Sequence, residues 1–130
     1  SLLANYAHTN TAVTADNTIP IGSELTRVPR NSGRIAARYR VLDGAAKGWS
    51  LGAGITALDA RQLTLPNTLR APGYAVIDAQ AAYDFGRFTL QAAAVNLGGR
   101  RTFDTYQYFM NPLVMPVQPR SLFITLKAKL

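Results

Sequence analysis

Arg34, Arg38 and Arg40 sit at even positions of one short segment, and in an extended strand that spacing puts three guanidinium groups on one face. Such a row can attract an anionic ligand or pair with acids. It can equally be ordinary solvated or salt-bridged charge. Asp78 and Gln80, at matching positions of a later segment, are its expected local partners. Catalytic chemistry has little to work with. His8 is the only histidine and cysteine is absent, so His- or Cys-based nucleophilic sites and thiolate metal sites have no material. Gly52-Ala53-Gly54 imitates a phosphate loop but lacks the third glycine and the following helix. Glycines inside a strand more often permit bending or close packing. No catalytic residue and no metal site is expected.

The elements that must carry these residues are strands. From Ser121 to Leu130 the chain alternates, with Leu122, Ile124, Leu126, Ala128 and Leu130 on one side and Ser121, Thr125, Lys127 and Lys129 on the other. Only Phe123 interrupts the polar side. Four further segments alternate in the same way, centred on Ile35–Val41, Trp49–Ala57, Ala75–Phe85 and Phe88–Val95, and a less regular one opens the chain at Leu2–Thr9. Helical spacing does not persist for any useful length. An oily face opposite a wet one suits a soluble sandwich, where it meets a second sheet. It also suits a transmembrane barrel, where it meets lipid while the polar face looks into a lumen. Several segments approach the ~10 residues of a tilted membrane strand, against about five or six for soluble strands, which favours the membrane.

Composition sets bounds without deciding. The 130 residues allow one domain, and the 48% hydrophobic share excludes disorder. No apolar run approaches the roughly 18 residues of a transmembrane helix, a test that is silent for barrels. The net charge of +7, from 14 Lys+Arg against 7 Asp+Glu, suits a polyanionic partner: nucleic acid, an anionic lipid surface or acidic ligands. The arginines are scattered, which favours charge spread over a sheet and its loops rather than a compact nucleic-acid footprint. The opening Ser1-Leu2-Leu3-Ala4-Asn5-Tyr6 reads as the inside of a strand, with no basic region ahead of an apolar stretch, so a fragment of a longer chain is expected.

Connections alternate between short and long. Val41 to Trp49 and Phe85 to Phe88 are joined by short links, the second by Gly86-Arg87 alone. Thr14–Arg30, Leu58–Pro72 and Gly98–Arg120 are long loops holding the prolines. In bacterial barrels short turns face the periplasm and long loops face outward, which would leave Leu130 in the periplasm. Trp49, Tyr83, Phe85 and Phe88 flank the short turns, with Tyr39 nearby, as an interfacial girdle would. Aromatic caps of hairpins in a soluble sheet would look the same.

Four stretches carry a family likeness: Gly22-Ser23-Glu24-Leu25-Thr26-Arg27-Val28-Pro29 before the strand ending Arg38-Tyr39; Ala71-Pro72-Gly73-Tyr74-Ala75-Val76-Ile77-Asp78; Val95-Asn96-Leu97; and Gln118-Pro119-Arg120 before the last strand. In order and spacing the chain resembles the C-terminal part of TonB-dependent outer-membrane receptors of the ferric-siderophore type. The resemblance covers residues 1–130 as one barrel segment with no second domain. It implies an all-β, antiparallel up-and-down meander of about six strands, part of a 22-stranded plugged transmembrane barrel. It further implies the bacterial outer membrane, iron present only as a siderophore complex with no cofactor bound directly, TonB reached through an N-terminal region outside this chain, and no nucleic acid. Where the family often has an aromatic and an acid after Asn-Leu, this chain has Gly98-Gly99-Arg100-Arg101. Such proteins usually end in an aromatic residue, and Leu130 is not one, which implies trimming or an atypical assembly signal.

On that likeness Arg34, Arg38, Arg40 and Asp78 become lumen-facing charge, set to meet an anionic ligand or acids of the plug. Arg61, Tyr106, Tyr108 and Phe109 become candidate ligand contacts on outer loops, although such aromatics, Phe103 included, can simply anchor a loop. Arg61, Arg70, Arg100 and Arg101 lie where outer-membrane lipid and lipopolysaccharide would meet the rim, or merely solvate it. A passive porin and a soluble β-sandwich binding module are the competing readings. Six strands are too few to close such a barrel, the smallest having about eight, so an isolated fragment is expected to self-associate.

Overall fold

The computed structural model describes residues 1–108 and 111–129. Phe109 and Leu130 therefore lie outside the described residues. Six strands form one antiparallel sheet: β1 (Leu2–His8), β2 (Asn31–Arg40), β3 (Trp49–Leu58), β6 (Tyr74–Asp84), β7 (Phe88–Val95) and β10 (Ser121–Ala128), hydrogen-bonded in that order. Each strand pairs with the next one along the meander, as the alternating pattern requires. The sheet is open, with β1 and β10 at its edges.

The register sorts the side chains. Ile35 faces Ile55, which faces Ile77, while Ala37, Ala53, Ala79, Ala94 and Leu122 form a second row across five strands. Every residue of these rows is apolar. One residue along, Arg34 faces Thr56, and Gly54 between Ala36 and Asp78 continues the opposite, polar face. A one-residue slip would exchange the two faces, so the hydrophobic pattern excludes odd slips and the short turns fix the rest of the register.

Nothing covers the apolar face. Ala71 is the one buried hydrophobic residue among those described, and Leu122, Ile124 and Leu126 are 69%, 71% and 62% exposed. A soluble sandwich buries such a face about 10 Å beneath a second sheet. Among the described residues no second sheet lies over this one, an arrangement that a sandwich does not have. In a bilayer the same surface needs no protein cover. At the short-turn end, Trp49 packs on Tyr83 at 5.1 Å between centroids, Tyr83 on Phe85 at 6.0 Å, and Phe85 on Phe88 at 5.9 Å. This run of rings lies at the short turns, where the aromatics are expected to gather.

Two of the long loops contain strands of their own. β4 (Arg61–Gln62) pairs with β5 (Arg70–Ala71), and β8 (Phe103–Tyr108) with β9 (Asn111–Pro116). The expectation of plain loops there is corrected. Two-residue strands carry no readable period. In the second hairpin Pro112 and Pro116 argue against a strand, yet each sits in a two-stranded ribbon where a missing donor can face away from the partner.

Candidate functional site

The sheet's polar face forms a shallow concavity of about 560 Å³ lined by Arg34, Arg38, Gly52, Gly54, Asp78 and Gln80 among others. Arg34 Nη1 donates to Thr56 Oγ1 at 2.6 Å and reaches Asp78 Oδ2 at 3.4 Å. Those residues lie one and two strands away. The crossing is possible because Gly54 stands between Arg34 and Asp78. A Cβ at Gly54 would approach Arg34 Nη2 to 3.2 Å and Ile35 O to 3.2 Å. The Gly-Ala-Gly segment is thus a lane for a guanidinium, inside a strand and not in a loop before a helix. Arg38 Nη2 donates to Ser50 Oγ at 3.4 Å, and Arg40 lies directly opposite Ser50 in the register. Gln80 accepts from Gln91 Nε2 at 3.4 Å. The structure therefore brings Arg34, Arg38, Arg40 and Asp78 onto one face, with Arg34 and Asp78 joined; Arg38 and Arg40 form no ion pair among the described residues, and Asp84 at the end of β6 lies on the same face near Arg40.

Asp78 continues into the rim. Its Oδ1 accepts the backbone N–H of Asn96 at 3.0 Å. Asn96 is 2% exposed and adopts φ 52, a left-handed conformation that asparagine tolerates better than most residues. Its Nδ2 donates to Arg100 O at 2.7 Å and Gln118 O at 3.3 Å, and its Oδ1 accepts from Arg100 N at 3.0 Å. One side chain thus staples the outgoing connector to the returning one. Spacing in the sequence does not reveal that role.

Above the rim the outer segments hold one another. Arg61, 5% exposed, donates through Nη1 to Asp104 Oδ1 at 2.7 Å and through Nη2 to Phe103 O at 2.9 Å, with its guanidinium carbon 5.7 Å from the Tyr74 ring centroid. Its neighbour Gln62 donates through Nε2 to Glu24 Oε2 at 3.2 Å. Asn67 and Glu24 exchange two further bonds, Glu24 N to Asn67 Oδ1 at 2.6 Å and Asn67 Nδ2 to Glu24 O at 2.8 Å. The Gln62 amide and the Arg30 guanidinium hold the Glu24 carboxyl below the usual glutamate range. Tyr106, on β8, is 44% exposed. Of the four candidate ligand contacts on the outer loops, Arg61 is committed to its own loops and Tyr106 is open to solvent. Tyr108 ends β8 opposite Asn111. The sequence gives no sign that a charged residue in a proline-rich loop would be buried, and Gln62, Asn67 and Asn96 escape notice for want of any charge or period.

A sheet with one unbroken apolar face, an arginine-bearing inner face, an aromatic belt at its short turns and structured outer loops is a stretch of transmembrane β-barrel wall. Residues 1–97 match the family TonB dependent receptor-like, beta-barrel, and the chain belongs to that family. It is a segment of a bacterial outer-membrane receptor barrel. It is 30% identical over 127 residues to the metal-pseudopaline receptor CntO of Pseudomonas aeruginosa, covering 96% of this chain and 18% of that protein. It is 27% identical over 104 residues to the ferrichrome outer membrane transporter/phage receptor of Escherichia coli, covering 80% of this chain and 14% of that protein. Its fold superposes on the crystal structure of BauA, the ferric preacinetobactin receptor from Acinetobacter baumannii, with a TM-score of 0.84 at 20% identity, covering 96% of this chain and 19% of the other. The chain thus spans less than a fifth of these relatives.

Proposed function

We propose that this chain supplies wall strands and outer loops to a receptor that takes up a metal chelated by a siderophore-type ligand, with iron travelling as cargo inside that complex and no cofactor held by the wall itself. The single observation that carries the reading is the two-faced sheet, apolar outward and arginine-bearing inward, in a chain whose family is that of TonB-dependent receptor barrels. The relatives named for chelates support the substrate class, and the pseudopaline receptor widens it beyond ferric complexes. Energy would reach the barrel from TonB through parts of the protein outside residues 1–130. The rim arginines would meet outer-leaflet lipid, and an isolated fragment would self-associate through its open edges.

On this reading the inner arginines, Arg38 and Arg40 above all, offer positive charge to the barrel's contents. The docked hairpins shape the outer mouth, with Tyr106 and Tyr108 on β8. The test is uptake of radiolabelled ferric and other metal chelates by cells whose sole receptor of this kind is the parent protein. Saturable uptake that stops when TonB is deleted supports the reading. Uptake that rises linearly with concentration and ignores TonB would favour the passive porin instead.

A further inference from the structure

The β6–β7 ladder ends in a bulge at the outer rim. Ala94 faces Ala79, and Leu97 N donates to Ile77 O at 2.8 Å, so two residues, Val95 and Asn96, stand where the partner strand has Asp78 alone. Bulges gather at barrel rims, where the extra residue is left out of the ladder. Here the spare group is the Asn96 N–H, which donates to Asp78 Oδ1 at 3.0 Å, a side chain in place of a ladder carbonyl. The Asn96 side chain in turn holds Arg100 and Gln118, on the two connectors that carry the β8–β9 hairpin. Val117 N donating to Thr102 O at 2.9 Å ties those connectors again. Arg61 docks the hairpin through Asp104 and Phe103. One line of contacts therefore runs from the outer hairpin down to Asp78.

Asp78 has a second duty on the inner face. Its other oxygen, Oδ2, receives Arg34 Nη1 at 3.4 Å. Charge-assisted bonds of this kind close to about 2.7–2.9 Å when nothing opposes them. Gly54 lies between the two residues in the register and offers no Cβ to hold them apart. The Asn96 amide instead fixes one carboxylate oxygen toward the rim, and Arg34 is left with the other. A guanidinium takes a carboxylate best through both oxygens, in a forked pair. With Asn96 withdrawn, the Asp78 carboxylate can turn to meet that fork. Arg34, whose side chain is 40% exposed on the inner face, then has its charge matched more closely.

We propose that Asp78 is a positioning residue that makes the charge Arg34 shows to the lumen follow the docking of the outer β8–β9 hairpin. With the hairpin docked, Asn96 keeps one oxygen of the carboxylate and Arg34 faces the lumen loosely paired. With the hairpin released, the bulge lets go of Asp78 and the carboxylate closes on Arg34. This coupling rests on the polar face being turned to the lumen and on no particular cargo. The test takes the purified parent receptor in detergent, without chelate, and follows Arg34 by mass spectrometry during reaction with phenylglyoxal, a reagent that attacks a guanidinium more slowly when an acid holds it. Asp104→Ala, which removes the carboxylate that Arg61 grips, should slow Arg34 about threefold, the size expected of a partly exposed pair. Asp78→Asn keeps an acceptor for the Asn96 amide but carries no charge. It should speed Arg34 and abolish the effect of D104A. Arg38, on the same face but bonded to Ser50, should react alike in all of these proteins. If D104A does not insert, Arg61→Lys, which cannot grip Asp104 and Phe103 in one fork, should slow Arg34 in the same sense. An unchanged Arg34 rate, a slowing that persists in the D78N background, or one shared by Arg38 overturns the proposal. These rates need no transport, so they stand or fall apart from the uptake assay.

Discussion

Arg61 and Gln62 are neighbours in sequence that grip opposite partners: Arg61 holds Asp104 and Phe103 on one side, and Gln62 holds Glu24 on the other. Because they share one short strand, their side chains leave it in opposite directions. The β4–β5 hairpin is therefore the middle link of a chain of three outer segments. Breaking the Arg61 side should free one neighbour and leave the other docked. Asp104→Ala leaves a guanidinium buried with its carboxylate gone, a larger loss than removing an exposed ion pair. Spin labels at Thr68 and Val114 should report a narrow distance distribution in the parent receptor and a broad one in D104A. An unchanged distribution would mean that the ion pair does not hold the hairpins together.

The Glu24 side of the chain should respond to pH. Its folded-state pKa is depressed by the hydrogen bond from Gln62 and by Arg30, so its contribution is present above the ordinary glutamate pKa and is lost as pH falls through the lower, folded value. Protection of the Glu24 amide, whose N–H bonds Asn67, measured against its intrinsic exchange rate at each pH, should therefore fall on acidification in the parent protein. In E24Q this step should be absent. A variant that kept the same acid-sensitive exchange would assign the effect to another group.

Asn96 should be the most sensitive single residue of the rim. Asn96→Ala removes three hydrogen bonds from a buried position, leaves two carbonyls short of a donor and forces alanine into a left-handed conformation. A cost of roughly 2–4 kcal/mol follows from those effects together. Asn96→Gly, which relieves the backbone, should lose less. Unfolding in denaturant with the receptor held in detergent measures both, and equal losses would show that the backbone conformation is irrelevant.

On the inner face, the Arg34–Asp78 pair is partly exposed, at 40% and 26%, and its coupling should be only ~0.2–1 kcal/mol. Asp78→Ala should nevertheless cost more than Arg34→Ala, because Asp78 also accepts the Asn96 amide. Gly54→Val should cost about 1–3 kcal/mol by crowding Arg34 and the Ile35 carbonyl. A double-mutant cycle measures the first term, and the thermal stability of the folded barrel measures the rest.

The six wall strands were legible because a bilayer enforces a period of two on every strand, from Ile35, Ile55 and Ile77 to Leu122, Ile124 and Leu126. The strand boundaries differ by one to a few residues, β2 starting already at Asn31, Tyr74 joining β6 and Phe85 leaving it for the turn, and β10 ending at Ala128, since hydrogen bonding at strand ends leaves no mark on hydrophobicity. The outer hairpins were not legible. They are held by Arg61, Gln62, Glu24, Asn67 and Asn96, polar residues whose contacts span up to 43 positions, and nothing local distinguishes such a residue from a solvated one. The four motif stretches carried that information without declaring it. Glu24, Tyr74, Asn96 and Gln118 each come from one of them, and each proves to be a docking contact.

The inner wall is built largely of short side chains, Ala36, Gly52, Gly54, Ala82 and Ala93 among them. Such a lining has little relief, so a body housed against it finds few projections with which to interlock. Its grip must come mainly from the guanidinium groups that rise from that smooth ground, and forces of this kind yield to added electrolyte while shape-based packing does not. The barrel's occupant would then be retained in the manner of a magnet on a polished plate, firm against separation and easy to slide.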